Sequence, residues 1–94
     1  MATVAIIGTL DTKGEELALA RRLIEEAGCS VTMIDVGIGA PTHVVPDISA
    51  SEVAAAAGAE LEALRTAGDR GDAMTAMAEG AARIARDLHA RGRL

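Results

Sequence analysis

The pattern of apolar positions at the start of the chain predicts a strand, a turn and a helix. The run Val4-Ala5-Ile6-Ile7 is short and rich in β-branched residues, which is typical of a strand buried on both faces of a parallel sheet. Gly8 ends the run, and the polar residues Thr9 to Lys13 form a turn. Apolar residues then recur at helical spacing from Gly14 to Ala27, and Gly28 is a typical C-terminal stop.

A second strand follows the first helix. The segment from Cys29 to Ile34 is extended by pattern and ends at Asp35, so the two predicted strands cover about residues 3–8 and 30–35. A strand, helix and strand in this order form a right-handed crossover with parallel strands. Residues 36–49 contain two glycines and two prolines, which predict a loop with a short extended piece at residues 43–45.

The remainder of the chain reads as helical. Ser49 to Glu52 fits a capping box before an alanine-rich helix, and residues 60–67 predict another short helix. We expect a turn at residues 68–71, with Asp72 as the cap of a last helix over residues 72–91. The apolar stripe of that helix, expected in the core, is Met74, Met77, Ala81, Ile84 and Leu88. The pattern therefore predicts an α/β fold, a partial Rossmann-like layer of two parallel strands with three or four helices.

Composition suggests that this layer is part of something larger. The chain has 94 residues, half of them hydrophobic, but no Phe, Tyr or Trp. A domain of this size buries only about 60–65% of its unfolded surface, and small side chains weaken its core further. We therefore expect a fragment of a larger doubly wound domain. Its partner would be the remainder of that domain or a second protomer, which makes a homo-oligomer such as a dimer the expected assembly.

Charge and cysteine content exclude several classes of function. The net charge is −5, with no basic stripe and no aromatic platform, which argues against nucleic-acid binding. Cys29 is the single cysteine, so no intrachain disulfide can form. The N-terminus lacks the pattern of a signal peptide, and no apolar run is long enough for a membrane span. We expect a cytoplasmic protein with no membrane partner.

The turn after the first strand has parts suited to an anion. Gly8 permits close approach, Thr9 and Thr12 offer hydroxyl groups, and Lys13 offers a positive charge beside the free N–H groups of a helix N-terminus. A structural interpretation is equally open, because Thr12 to Glu15 also fits a capping box. The turn is neither a Walker A loop nor a dinucleotide fingerprint, so spacing alone leaves both interpretations standing.

Four other positions carry similar pairs of interpretations. Asp35 ends the second strand, where an acidic residue can hold a ribose hydroxyl or simply cap its own loop. Gly37 lets the backbone pass close to a ligand or is an ordinary turn glycine. Arg70 could reach phosphates or face solvent. Asp11 would sit beside a phosphate only if Mg²⁺ intervened, in an outer-shell role, or if its carboxylate capped the helix.

The sequence offers no catalytic or metal site. His43 and His89 have no ligand spacing to Cys29 or to carboxylates, so we assign no metal ligands. Cys29 is expected to be a buried, unreactive thiol, since no histidine lies near it in the sequence. No residue is identified as a general base or nucleophile, and whether the protein is an enzyme stays open.

Four blocks together resemble one known family. They are IIGTLDTKGEEL, GCSVTMIDVGIGAP, PDISASEVAAAAG and GDRGDAMTAMAEGA, in that order. The chain resembles, from Val4 to about Ala85, the ATP-binding domain family typified by the tomato mosaic virus resistance protein, with many uncharacterised bacterial relatives. Members of that family are several times longer, and the resemblance places a further strand and a Gly-rich phosphate loop just after Leu94.

The resemblance implies nucleotide binding. ATP, with Mg²⁺ as its companion ion, would place its phosphates near Thr9, Asp11, Thr12 and Lys13 and its ribose near Asp35. The positions expected to contact the nucleotide are Gly8, Thr9, Asp11, Thr12, Lys13, Asp35, Gly37 and Arg70. The rival hypothesis is a non-catalytic structural or interaction module that completes a larger domain or a dimer. Lys13 and Asp35 separate the two hypotheses, because a pure packing module needs neither.

Overall fold

Two parallel strands and four helices make up the chain in a computed structural model, which describes residues 2–94. The elements are β1 (Thr3–Gly8), α1 (Leu10–Glu26), β2 (Ser30–Asp35), α2 (Ala50–Ala56), α3 (Leu61–Ala67) and α4 (Arg70–Ala90). Thr3 lies opposite Ser30 and Gly8 opposite Asp35 in the parallel register. The predicted α/β fold, a partial Rossmann-like layer, is confirmed.

Helices lie on both faces of this small sheet. Leu17 of α1 fills the space on the side of Gly8 where a side chain would stand, so α1 covers the face shared by Gly8 and Ile6. Ala5 and Ile34 belong to the opposite face and pack with α2 and α4. The buried cluster on this second face consists of Ile34, Ala50, Val53, Ala54, Leu61, Met77 and Ala81.

The contact between α2 and α4 depends on a glycine. A Cβ atom at position 80 would overlap the carbonyl oxygen of Val53, so the two helices approach closely only because Gly80 has no side chain. The buried positions of α4 are Ala73, Met77, Gly80 and Ala81. The prediction that Met74 belongs to the core was wrong, since its side chain is 67% exposed. Met74 instead lies on the side of α4 that lines a cleft, while its neighbour Ala73 is buried.

Two predicted helix starts were wrong and one was confirmed. α1 begins at Leu10 with Thr9 as N-cap and no side-chain cap, so the capping box from Thr12 to Glu15 does not form. α4 begins at Arg70, within the predicted turn, and Asp69 caps it by accepting a hydrogen bond from the Asp72 N–H at 2.9 Å. The capping box at Ser49 and Glu52 forms as predicted.

The strands and the loop between β2 and α2 also differ in detail from expectation. β1 is half-buried rather than buried on both faces, and Ile7 is 47% exposed. His43 has a positive φ of 62°, so residues 43–45 are not a regular extended piece. The end of the loop instead adds an isolated parallel bridge between Ile48 and Ile34, on the side of β2 away from β1. Among residues 2–94, no helix has the length and apolar character to cross a membrane.

Candidate functional site

A cleft of about 450 Å³ opens where the turn after β1 faces the start of α4. It therefore lies beyond the carboxyl end of β1, which is the usual position of ligands in open α/β sheets. Its volume is within the range of small-molecule sites. The lining residues are Thr9, Asp11, Thr12, Val36, Gly37, Ile38, Leu64, Arg65, Gly68, Asp69, Arg70, Ala73, Met74 and Met77.

Five of the eight predicted contact residues line this cleft. They come from three separate segments and are Thr9, Asp11, Thr12, Gly37 and Arg70. Gly8, Lys13 and Asp35 do not line it. Lys13 is exposed, and its Nζ lies 3.7 Å from the Glu16 carboxylate.

The first turn of α1 is bent away from the rest of the helix. Lys13 has non-helical backbone angles (φ −122°, ψ 21°). At this bend the carbonyl oxygen of Leu10 accepts hydrogen bonds from the Thr42 N–H and hydroxyl, both at 3.0 Å. Any Cβ at position 14 would overlap Thr42, so Gly14 lets the loop dock here. Sequence reasoning missed Thr42 because the contact spans 32 residues.

Asp35 supports the cleft from beneath. Its side chain is 1% exposed, and Oδ1 accepts hydrogen bonds from the Gly37 N–H at 2.8 Å and from the Leu10 N–H at 3.2 Å. The pKa of this carboxyl is raised above its ordinary value, mainly because burial disfavours the charged form. The two N–H groups partly offset this rise, and the negative charge of Asp11 adds to it. The loop-capping interpretation of Asp35 describes this geometry, and contact with a ribose would require the carboxylate to turn outward.

Asp11 joins the same network from the cleft wall. Its Oδ2 accepts from the Gly39 N–H at 3.1 Å, so the carboxylate binds the loop after β2 and does not cap α1 as expected. Its Oδ1 is buried and has no hydrogen-bond partner within residues 2–94. A Cβ atom at position 37 would overlap this oxygen, which explains why glycine stands there. The described residues contain no group of three or more His, Cys, Asp or Glu side chains suited to a metal ion.

The polar groups of the cleft are arranged around two helix N-termini. α1 and α4 both begin at the cleft, so their partial positive charges lie beside it. The hydroxyl groups of Thr9 and Thr12 are 2.8 Å apart. Arg65 is occupied by the Ile38 carbonyl oxygen and by Glu62, whereas Arg70 makes no ion pair or hydrogen bond to residues 2–94 through its side chain. Arg70 is therefore the available cation of the cleft.

An apolar wall completes the cleft. Val36, Ile38 and Leu64 contribute aliphatic side chains, and Met77 lies at its buried side. Met74 is exposed in the same wall, one helical turn from Arg70, so α4 presents a cation and an apolar group on one face. Sequence reasoning assigned Met74 to the core because its spacing relative to Met77 and Ala81 matches a buried stripe.

Fold and cleft together define an α/β domain with a small-molecule-sized site at the carboxyl end of a parallel strand. The chain belongs to the uncharacterised protein family UPF0261, whose N-terminal domain matches residues 2–94. UPF0261 proteins of Clostridium tetani and Brucella suis are 41% and 43% identical to it over 85 and 91 residues, or 90% and 97% of this chain. A UPF0261 protein of Rhizobium meliloti is 44% identical over 84 residues, or 89% of the chain.

The chain spans about a fifth of the length of these relatives, since the matched regions cover 21% or 22% of each of them. No solved structure shows significant similarity to the chain.

Proposed function

We propose that this domain binds a nucleotide, with ATP as the preferred ligand, in the cleft between α1 and α4. The observation that carries the proposal is the convergence of Thr9, Thr12, Gly37 and Arg70, from separate segments, on one cleft with an apolar wall. Hydroxyl groups, a free arginine and two helix N-termini suit phosphate, and the aliphatic wall suits a base. We propose ATP in particular because the chain resembles the ATP-binding domain family of the tomato mosaic virus resistance protein.

Within this proposal, Mg²⁺ binds together with the phosphates of ATP. Mg²⁺ commonly keeps several waters and takes one or two carboxylates together with substrate phosphates. Asp11 lines the cleft with one carboxylate oxygen, Oδ1, that is buried against Gly37 and has no hydrogen-bond partner among residues 2–94. These residues fit an outer-shell partner for a phosphate-bound ion, and they do not form a metal site of their own.

The direct test is a titration of the chain with Mg-ATP while its amide resonances are followed. Shifts should centre on Thr9, Thr12, Gly37 and the first turn of α4. Shifts confined to regions outside the cleft would refute the site. A parallel titration with inorganic tripolyphosphate separates recognition of phosphate from recognition of the base.

Arg70 should contribute more to binding than Lys13. Because Arg70 lines the cleft and Lys13 does not, Arg70→Ala should weaken the binding of ATP about 10- to 100-fold. This is the loss of affinity expected for one charge-assisted contact. Its effect should be larger for ATP than for AMP, because the negative charge is concentrated on the phosphate tail. Lys13→Ala is the comparison, and Arg86→Ala, exposed on the same helix but outside the cleft, is the control. A larger loss of ATP affinity for Lys13→Ala than for Arg70→Ala would show that Lys13 contacts the phosphates, as the sequence analysis predicted.

The second candidate function is a structural module that completes a larger domain or a dimer. It is favoured by the half-buried β1 and by exposed apolar side chains such as Ile7 and Val45, at 47% and 81% exposure. The two functions are compatible, since a nucleotide site can lie where two parts of one domain meet. Absence of binding to both ATP and tripolyphosphate would leave only this second function.

A further inference from the structure

Among the described residues, β1 has one edge with no neighbouring strand. β2 donates to β1 through even-numbered residues, as the Ser30 N–H to the Ala2 carbonyl and the Val36 N–H to the Gly8 carbonyl show. In a parallel strand the N–H and C=O of one residue point to the same side. The backbone groups of Thr3, Ala5 and Ile7 therefore point away from β2, and the described chain places no strand on that side.

The other edge of the sheet is already occupied. The Ile48 N–H donates to the Met33 carbonyl oxygen at 3.0 Å, and the Asp35 N–H donates to the Ile48 carbonyl oxygen at the same distance. This parallel bridge continues the sheet beyond β2. Further growth of the sheet next to the described strands is open on the β1 side.

The positions of the helices fix the direction of that growth. α1 covers one face and carries the chain from β1 to β2, while α2 and α4 cover the opposite face. Parallel crossovers are right-handed, so a crossover over the opposite face must move in the opposite direction, from β2 back toward β1. α4 begins at the cleft and is 21 residues long, so it ends about 30 Å away, toward the amino ends of the strands. A strand that follows it would run parallel to β1.

We infer that the free edge of β1 receives a parallel strand from the polypeptide that follows the matched domain in full-length UPF0261 proteins. Those relatives are nearly five times as long as their matched regions, which belong to an N-terminal domain, so polypeptide for this strand exists. The side chain of Ile7 is 47% exposed, although it lies on the same face of the sheet as its fully buried partner Ile34. An added strand and its connection would cover this side chain.

This pairing would make the end of β1 a topological switch point. The connections on its two sides would lead to opposite faces of the sheet, which is the arrangement that opens a ligand crevice. The cleft at Thr9 lies at this position, so the inserted strand would supply its missing wall. The inference concerns strand pairing and holds whether or not the ligand is a nucleotide.

Amide hydrogen exchange tests the pairing in two proteins. The 94-residue chain is compared with the full-length Brucella suis relative at the aligned positions. In the chain at low concentration, the amides of Ala5 and Ile7 should exchange rapidly while those of Val4 and Ile6, bonded to β2, are slow. In the relative, the positions aligned with Ala5 and Ile7 should slow at least about 100-fold. The position aligned with Val45, in the exposed loop, is the control and should exchange rapidly in both.

Two results would overturn the inference. Rapid exchange at both edge positions in the full-length relative would show that the edge stays open there. Protection of Ala5 and Ile7 in the chain that rises with its concentration, without protection in the relative, would identify a second copy of the chain as the occupant.

Discussion

At the scale of single residues, two carboxylates organise the cleft. Asp35 ties the end of β2 to the start of α1, and Asp11 ties that start to the loop after β2. Both accept backbone N–H groups and so fix the path of the chain, while Asp11 Oδ1 has no hydrogen-bond partner among residues 2–94. Sequence analysis placed Asp11 and Asp35 around one nucleotide only through the family resemblance. It gave no sign that their partners would be N–H groups 25 and 28 residues away.

Asp35→Asn should change how stability depends on pH. Because the folded pKa of Asp35 is raised above its unfolded value, the folded chain binds more protons between the two pKa values. The stability that Asp35 contributes is therefore complete below the unfolded pKa and is lost as the pH rises through the folded pKa. A difference of one between the folded and unfolded pKa of Asp35 corresponds to about 1.4 kcal/mol in the free energy of unfolding.

Urea unfolding of the wild type and Asp35→Asn across the acid range measures this effect, since carboxylates that do not interact with Asp35 cancel in the difference. The wild type should lose stability relative to the variant as the pH rises. A difference that is constant with pH would show that the Asp35 pKa is not raised by folding.

At the scale of elements, the features that depend on residues close in the sequence were predicted, and those that depend on distant residues were not. The capping box at Ser49 and Glu52 was found because both partners lie within four residues. The start of α1 was missed because it depends on Thr42 and Asp35, which only the folded loop brings to Leu10. Likewise, Met74 has core spacing, but it lies on the side of α4 that lines the cleft, which only the folded chain creates.

The crossing of α2 and α4 supplies the prediction at this scale. Gly80→Ala should lower the free energy of unfolding by about 1–3 kcal/mol, because the added methyl group would overlap the Val53 carbonyl and force the helices apart. Gly71→Ala in the first turn of α4 is the matched control. Its Cβ would meet only Asp69 Oδ1 at 3.4 Å, so alanine should be neutral or stabilise by up to about 1 kcal/mol. Equal effects of the two substitutions would show that the close helix contact does not form.

At the scale of the whole molecule, the chain provides two walls of its cleft and an open sheet edge beside it. The turn after β1 and the loop after β2 form one side, and α3 and α4 form the other. The expectation of a larger domain came from the aromatic-free composition, and the half-buried β1 agrees with it. Which edge stays open could not be predicted from the sequence, because the bridge of Ile48 to β2 involves no recognisable strand pattern.

ATP should therefore bind weakly to this chain and more tightly to a full-length relative. The chain supplies only two walls of the cleft, so part of a bound nucleotide would remain in water and its ordering cost would be poorly offset. We expect a dissociation constant above about 1 µM for the chain, which corresponds to a binding free energy weaker than about −8.2 kcal/mol. Calorimetric titration of Mg-ATP into the chain and into the Brucella suis relative gives the comparison, with AMP as the control ligand. Submicromolar binding by the 94-residue chain would contradict this expectation, because it would mean that these two walls alone make a complete site.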